Sequence, residues 1–281
     1  MKKANVLISC KDTRGIVRAV TDFLFKNSGN IVFLEEHTED DYFFMRVDCE
    51  FDDSAVEKTE DFHRNFKPIQ DQFKMEVRFD FEERKKSVGL FCSREGHCII
   101  DILARRSIKE LDIEIPYVIS NFEDCREIVE KFGVPFHFIK SAKDSFVHEE
   151  ECLKIIKKHP TDAIGLARYM KVLSENFVNS VGQRIINVHH SLLPSFIGAK
   201  PYAEAYERGV KLIGATSHYV TTALDQGPII EQEVKRVKHH HGLEDIKLIG
   251  RECEKRVFAF AIKKHIDNKI LTYRNRTIVF E

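Results

Sequence analysis

Apolar and polar positions along the chain recur with two different periods, and the switches between them mark out the elements. Residues 4–10 form a run of strand type. Ile16, Val17, Val20, Phe23 and Leu24 then fall at helical spacing over 15–27, with Asp12 and Thr13 ahead of them as cap candidates. The polar run Asn27-Ser-Gly-Asn30 stops that helix. Two β-rich runs, 31–37 and 42–51, are separated by Thr-Glu-Asp-Asp and predict a hairpin. A helical stretch over about 54–73, expected to break before Pro68, leads to a strand over 75–81. This βαββαβ order is the ferredoxin-like arrangement. A charge run over 82–86 reads as a solvated linker. Beyond it, strands at 88–92, 114–120, 136–139, 163–167 and 184–189 alternate with helices at 98–106, 124–132, 148–158 and 174–180. Such alternation predicts βα units and a parallel, Rossmann-like sheet. A strand over 228–237, a long amphipathic helix over 243–265 and a β-rich tail over 272–280 close the chain. The expectation is an α/β protein of two domains, 1–82 and 83–281.

Composition narrows the class. Apolar residues make up 43%, enough for a core, and no run approaches the ~18 apolar residues of a membrane helix. The N-terminal apolar stretch is too short and too soon interrupted for a signal peptide. Seven cysteines, odd in number and never in a CxxC pair, fit reduced thiols in a cytoplasmic protein better than a disulfide framework or zinc site. With 44 basic against 45 acidic residues, no overall field draws the chain to nucleic acid.

Chemistry concentrates where the strand over 184–189 ends. Side chains alternate along a strand, so Asn187 and His189 share a face while Ile186 and Val188 take the other. Strand ends of open α/β sheets are where ligands bind. A carboxylate, Asp225, sits in the turn Leu-Asp-Gln-Gly-Pro before the next β-rich run. Asn, His and Asp can together polarise a carbonyl and move a proton. Alone, an Asn or His at a strand end is more often a cap, and an Asp before Gly-Pro a turn former. The turn 93–97 carries a single glycine, Gly96, where nucleotide and phosphate binders place several. That argues against a dinucleotide or a phosphorylated acceptor there. Ser191 lacks the surrounding glycines of a nucleophile elbow and reads as turn support. Three consecutive histidines, 239–241, cannot all face one ion and read as an exposed loop rather than a metal site.

Two resemblances extend this reading. Cys-Lys-Asp-Thr-Arg-Gly-Ile-Val (10–17) with Gly-Asn-Ile (29–31) resembles an ACT domain, with Arg14 where that turn usually has Pro. The resemblance implies an amino-acid effector near residues 12–15, or subunit pairing and hence a homo-oligomer; packing alone is the plainer reading. Asn-Val-His-His-Ser-Leu-Leu-Pro-Ser-Phe (187–196), Gly-Ala-Thr-Ser-His-Tyr-Val (214–220) and Leu-Asp-Gln-Gly-Pro-Ile-Ile (224–230) resemble the 10-formyltetrahydrofolate-dependent formyltransferase fold. So does Leu-Ala-Arg-Tyr-Met-Lys-Val-Leu-Ser (166–174). The ACT-like segment ahead of this fold, and His190 where transferases usually have Pro, make the chain similar to the formyltetrahydrofolate deformylases.

That resemblance implies hydrolysis of 10-formyltetrahydrofolate to tetrahydrofolate and formate, supplying formate for purine biosynthesis and balancing the one-carbon folate pools. It implies Asp225 as the main acid/base, with His189 and Asn187 as donors to the oxyanion. It also implies a folate wall from Leu166, Arg168, Met170, Lys171 and Leu173, met largely through main-chain groups, and a facing loop including Thr221 and Leu224. His190 would shape the water site or merely replace Pro, and His218 would orient Asp225 or serve structure alone. No metal and no cofactor beyond the folate substrate are required, and neither membrane nor nucleic acid is an expected partner. Two other readings compete. One is a transferase of the same fold passing the formyl group to an amine; the other is a sensor that binds folate without turnover.

Overall fold

The computed structural model describes residues 2–51, 59–81, 83–141, 146–182, 184–195 and 201–281, and the chain divides into two units. The first comprises residues 1–84, 268–273 and 278–281; the second comprises 85–267 and 274–277.

In the first unit the elements are β1 (Lys2–Lys11), α1 (Ile16–Lys26), β2 (Gly29–Glu39), β3 (Tyr42–Phe51), α2 (Thr59–Phe73) and β4 (Glu76–Phe81). Their sheet has the order β2-β3-β1-β4, with every neighbouring pair antiparallel. The hairpin turn is tighter than the sequence suggests. Only Asp40 and Asp41 lie between β2 and β3, both at positive φ, 49° and 61°. A two-residue turn of this kind needs φ > 0 at both positions, which Asp tolerates. Asp12 and Thr13 do not cap α1; Gly15 does, at φ 96° and with no side-chain hydrogen bond. Pro68 does not break α2. Phe62 and Phe66 are buried, and Ile69 and Phe73 pack beside them against the sheet, so tertiary burial carries the helix through the missing N–H. The expected helical residues 54–58 lie outside those described.

In the second unit the elements are β5 (Val88–Cys92), α3 (His97–Ser107), β6 (Val118–Ser120), α4 (Arg126–Lys131), β7 (Phe136–Phe138), α5 (Val147–Lys158) and β8 (Ala163–Ala167). They continue with α6 (Glu175–Val181), β9 (Ile185–His189), α7 (Pro201–Glu207), β10 (Leu212–Tyr219), β11 (Ile229–Arg236) and α8 (Leu243–Ile266). The chain closes with β12 (Ile270–Tyr273), which is counted in the first unit, and β13 (Arg276–Val279), divided between the two; they form a two-stranded sheet where the sequence shows a single β-rich tail.

The central sheet has the order β11-β10-β9-β8-β5-β6-β7. From β9 to β7 it is parallel; its inner strands are buried on both faces, as β8 shows with all of its residues buried, while the edge strand β7 leaves Phe138 exposed. The parallel sheet expected from the strands over 88–189 forms, but two further strands join it antiparallel. β10 runs antiparallel to β9, and β11 antiparallel to β10. The connection over 220–228 is too short for a crossover helix, so β11 must return antiparallel. The sheet is therefore mixed, and the 220–228 loop leaves β10 level with the first residues of β9, where the Val220 N–H donates to the Ile185 carbonyl, before it folds back so that Asp225 reaches His189.

Candidate active site

Four segments converge at the carboxyl ends of β8 and β9. β9 ends in Asn187 and His189, which point from the same face as their alternation requires. β10 pairs with it so that His218 lies opposite Asn187 and Thr216 opposite His189. The loop 220–228 then brings Asp225 into the same place. That loop closes tightly: the Tyr219 N–H donates to the Pro228 carbonyl at 2.9 Å, and a Cβ on Gly227 would lie 1.7 Å from the Tyr219 carbonyl oxygen. Only glycine fits there. Asp225 itself has φ 53°, a conformation that aspartate tolerates better than most residues.

The titratable groups form one connected set. His189 Nδ1 lies 3.4 Å from Asp225 Oδ2, and His218 Nε2 lies 3.6 Å from Asp225 Oδ1. The His189 hydrogen bond, with His218 adding to it when charged, outweighs burial and holds the Asp225 carboxyl well below the usual carboxylate range. Asp225 is therefore a carboxylate, and His189 Nδ1 carries a proton toward it. His189 Nε2 is buried and has no hydrogen-bond partner. It is the free face of the ring.

The orientation of Asn187 follows from its neighbour. The Tyr219 carbonyl can only accept, so His218 Nδ1, 2.9 Å away, is the donor in that pair. A neutral His218 then offers Nε2 as an acceptor, and Asn187 Nδ2 donates to it at 3.2 Å. In that tautomer the amide presents its NH2 toward the site and keeps a second N–H uncommitted.

The wall opposite is the loop 168–174, anchored at both ends. The Met170 N–H donates to Ser93 Oγ at 3.0 Å, and Ser93 Oγ in turn donates to Asn121 Oδ1 at 2.7 Å. At the other end the buried Glu149 carboxylate accepts from the Ser174 N–H at 2.8 Å and from the Ser174 hydroxyl, and Ser174 caps α6 by accepting from Phe177 N–H. Between this wall and the loop 220–225 lies a cavity of about 340 Å³, a size suited to a small organic ligand. Its lip carries exposed apolar side chains, Met170, Val172 and Leu224, of the kind that mark a ligand groove.

Every site residue singled out in the sequence lines this one cavity: Asn187, His189, His190, His218 and Asp225 at the reacting end, Leu166, Arg168, Met170, Lys171 and Leu173 on one wall, Thr221 and Leu224 on the other. Ser191 lies outside it, its hydroxyl donating to the Ser195 carbonyl at 3.0 Å as turn support. His239 and His240 are exposed in the loop before α8.

Sequence reasoning missed one group. The carboxylate of Glu254, on α8, is buried beside the cavity and accepts from the Tyr202 hydroxyl; His97 Nε2 lies 2.8 Å from it and Arg168 Nε 3.4 Å. Burial pushes its carboxyl up, but the His97 hydrogen bond and the Arg168 charge prevail and the net shift is down. The available signal was a charge on the apolar stripe of α8, where Gly250, Cys253, Val257 and Phe258 are buried with it. Among the described residues, His97, Cys98 and Glu254 also have metal-ligand spacing, within 4.8 Å. That set is better suited to its internal ion pair: the carboxylate already faces Arg168, and burial raises the Cys98 thiol well above its usual range.

Comparison with known proteins places this geometry. The family model described as Formyl transferase matches residues 86–262. The formyltetrahydrofolate deformylase of Bacillus subtilis is 44% identical over 99% of this chain and 94% of its own length. The crystal structure of a formyltetrahydrofolate deformylase from Pseudomonas syringae superposes with a TM-score of 0.96, at 40% identity, over 100% of this chain and 95% of that one. Glycinamide ribonucleotide transformylase 1 from Symbiobacterium toebii matches with a TM-score of 0.67 at 26% identity, over 72% of this chain and 97% of its own.

Proposed function

Because the chain belongs to the formyltetrahydrofolate deformylase family, we propose that its cavity binds 10-formyltetrahydrofolate and hydrolyses it to tetrahydrofolate and formate. The observation that carries this reading is the Asp225–His189 pair, with the partnerless Nε2 of His189 and the uncommitted N–H of Asn187 beside it. Water attacks the formyl carbon, and the carbonyl oxygen becomes an oxyanion that accepts from Asn187 Nδ2 and from a charged His189 Nε2. One proton of the attacking water passes to Asp225. In the resting pair that carboxylate is a weak base, but negative charge growing on the oxyanion draws on His189 and raises the basicity of its partner. As the C–N10 bond breaks, the same proton goes to the departing nitrogen. The pair thus titrates as a unit through the cycle. The pterin lies between the loop 168–174 and the loop 221–224, and formate release serves purine biosynthesis and the balance of folate pools. Incubated with 10-formyltetrahydrofolate and no amine, the protein is expected to release formate and tetrahydrofolate in equal amounts. Tight folate binding with no release would overturn the hydrolase reading.

The first 82 residues, with the elements βαββαβ and the turn 12–15, are read as an ACT-like domain that binds an amino-acid effector and pairs subunits. Sedimentation at micromolar concentration is expected to show a homo-oligomer, and monomer alone would count against that pairing. Among the described residues no helix is long and apolar enough to cross a membrane, and we place the protein in the cytoplasm.

A further inference from the structure

The strand order sets a topological switch point between β5 and β8, because β6 and β7 extend the sheet beyond β5 while β9 extends it beyond β8. The crevice at such a point, outside the carboxyl ends of the two strands, is the ordinary place for a ligand in an open α/β sheet. Here the protein's own side chains fill it. His97 opens α3 after β5, Arg168 is the first residue past β8, and Glu254 reaches between them from α8. Tyr202 closes the far side: its hydroxyl donates to Glu254, and its ring meets His190 edge-on with centroids 5.8 Å apart. The same ring packs over α8 where a Cβ on Gly250 would lie 2.3 Å from it. The cluster therefore runs from the turn 93–97 to the wall of the reaction cavity.

Arg168 is an unusual residue at its position. Its φ is 59°, a conformation that suits glycine and, less well, asparagine or aspartate. A long side chain held there is under strain that glycine would relieve, and such strain gathers at functional sites. The sheet register also places it beside the chemistry. Leu166 pairs with Asn187, and Arg168, just past the end of that strand, lines the same cavity as Asn187 and His189. Arg168 lines the cavity, and its Nε, buried and 3.4 Å from the Glu254 carboxylate, faces that charge as an ion pair.

We propose that Arg168 is a specificity-determining residue, whose guanidinium, paired with Glu254, occupies the space beside the reacting carbon that a primary amine would need. Water needs far less room and is left as the acceptor. The proposal rests on the hydrolase reading above and deepens it. An ammonium ion approaching by this route meets a cation, and a phosphate-bearing amine meets the Glu254 carboxylate and a turn with only one glycine, Gly96. Removing the arginine side chain opens the switch-point crevice to a neutral amine, which can attack the same formyl carbon and leave as an N-formyl product. The proton balance with Asp225 is unchanged.

The test is the fate of the formyl group in Arg168→Gly, assayed with 10-formyltetrahydrofolate and increasing glycinamide. In the unsubstituted protein formate is expected to equal tetrahydrofolate at every amine concentration. In the variant the share captured as N-formylglycinamide is expected to rise by about tenfold or more and to climb with amine concentration. Arg168→Asn, which also accepts positive φ, carries the same test should the glycine variant lose its cooperative melt. Formate equal to tetrahydrofolate in a folded variant at every amine concentration would overturn the proposal and leave Arg168 a structural role. Loss of folding in both variants would overturn it too, because a barrier to amines is dispensable to the fold. An unsubstituted protein that releases no formate would sink the hydrolase reading instead, and that control is read before any variant is compared.

Discussion

Asp225→Asn is expected to lower kcat for formate release by about 10²–10⁴-fold while the protein keeps its fold, the usual range for losing a positioned acid/base. Asparagine is the informative replacement. It matches aspartate in size and accepts the φ of 53° that this position requires, whereas alanine would add backbone strain to the loss of charge. The carboxylate is held below its ordinary range chiefly by His189, so it is ionised throughout the neutral range. An amide in its place accepts only weakly from His189 Nδ1 and cannot take up the proton of the attacking water. Folate affinity, which we propose rests on the walls at 166–173 and 221–224, is expected to change far less than kcat. Steady-state kinetics with a melting curve separates the two effects. A variant within threefold of the unsubstituted kcat, counted as about unchanged on this scale, would remove Asp225 from the mechanism.

The second large effect is expected at Asn187. Asn187→Ala removes the N–H that faces the developing oxyanion, and the loss of one such donor lowers kcat by about 10²–10³-fold, or roughly 2.7–4 kcal/mol. It also takes a donor from His218 Nε2, which remains anchored through Nδ1 to the Tyr219 carbonyl. The ring therefore keeps its place, and the loss falls on the transition state. An equal fall in kcat and kcat/KM is the expected signature, since the oxyanion exists only there. A rise in KM with kcat unchanged would instead make Asn187 a substrate-binding residue.

Much of this site can be read in the sequence because it is built from local rules. Alternation along β9 puts Asn187 and His189 on one face, and the Gly-Pro turn marks where Asp225 sits. What the sequence conceals comes from tertiary closure. The antiparallel pairing of β10 with β9 is visible only in the fold, because the connection over 190–211 is long enough to allow a parallel crossover as well. Pro68 stays within α2 because the aromatic stripe around it is buried, a stabilisation that local propensity does not contain. Glu254, Glu149 and Tyr202 lie far along the chain from the groups they hold. Glu149 reads as one acid among several at the start of α5, and only the fold shows that it anchors the loop at Ser174. The positive φ of Arg168 is likewise invisible in a sequence that resembles an ordinary strand end.

The central claim is that water is the acceptor of the formyl group. The direct measurement is a single turnover of 10-formyltetrahydrofolate in water enriched in oxygen-18, without any amine, followed by mass analysis of the formate. The account predicts formate carrying one solvent oxygen, formed one-for-one with tetrahydrofolate. Unlabelled formate, or tetrahydrofolate that appears only when an amine is supplied, would contradict it.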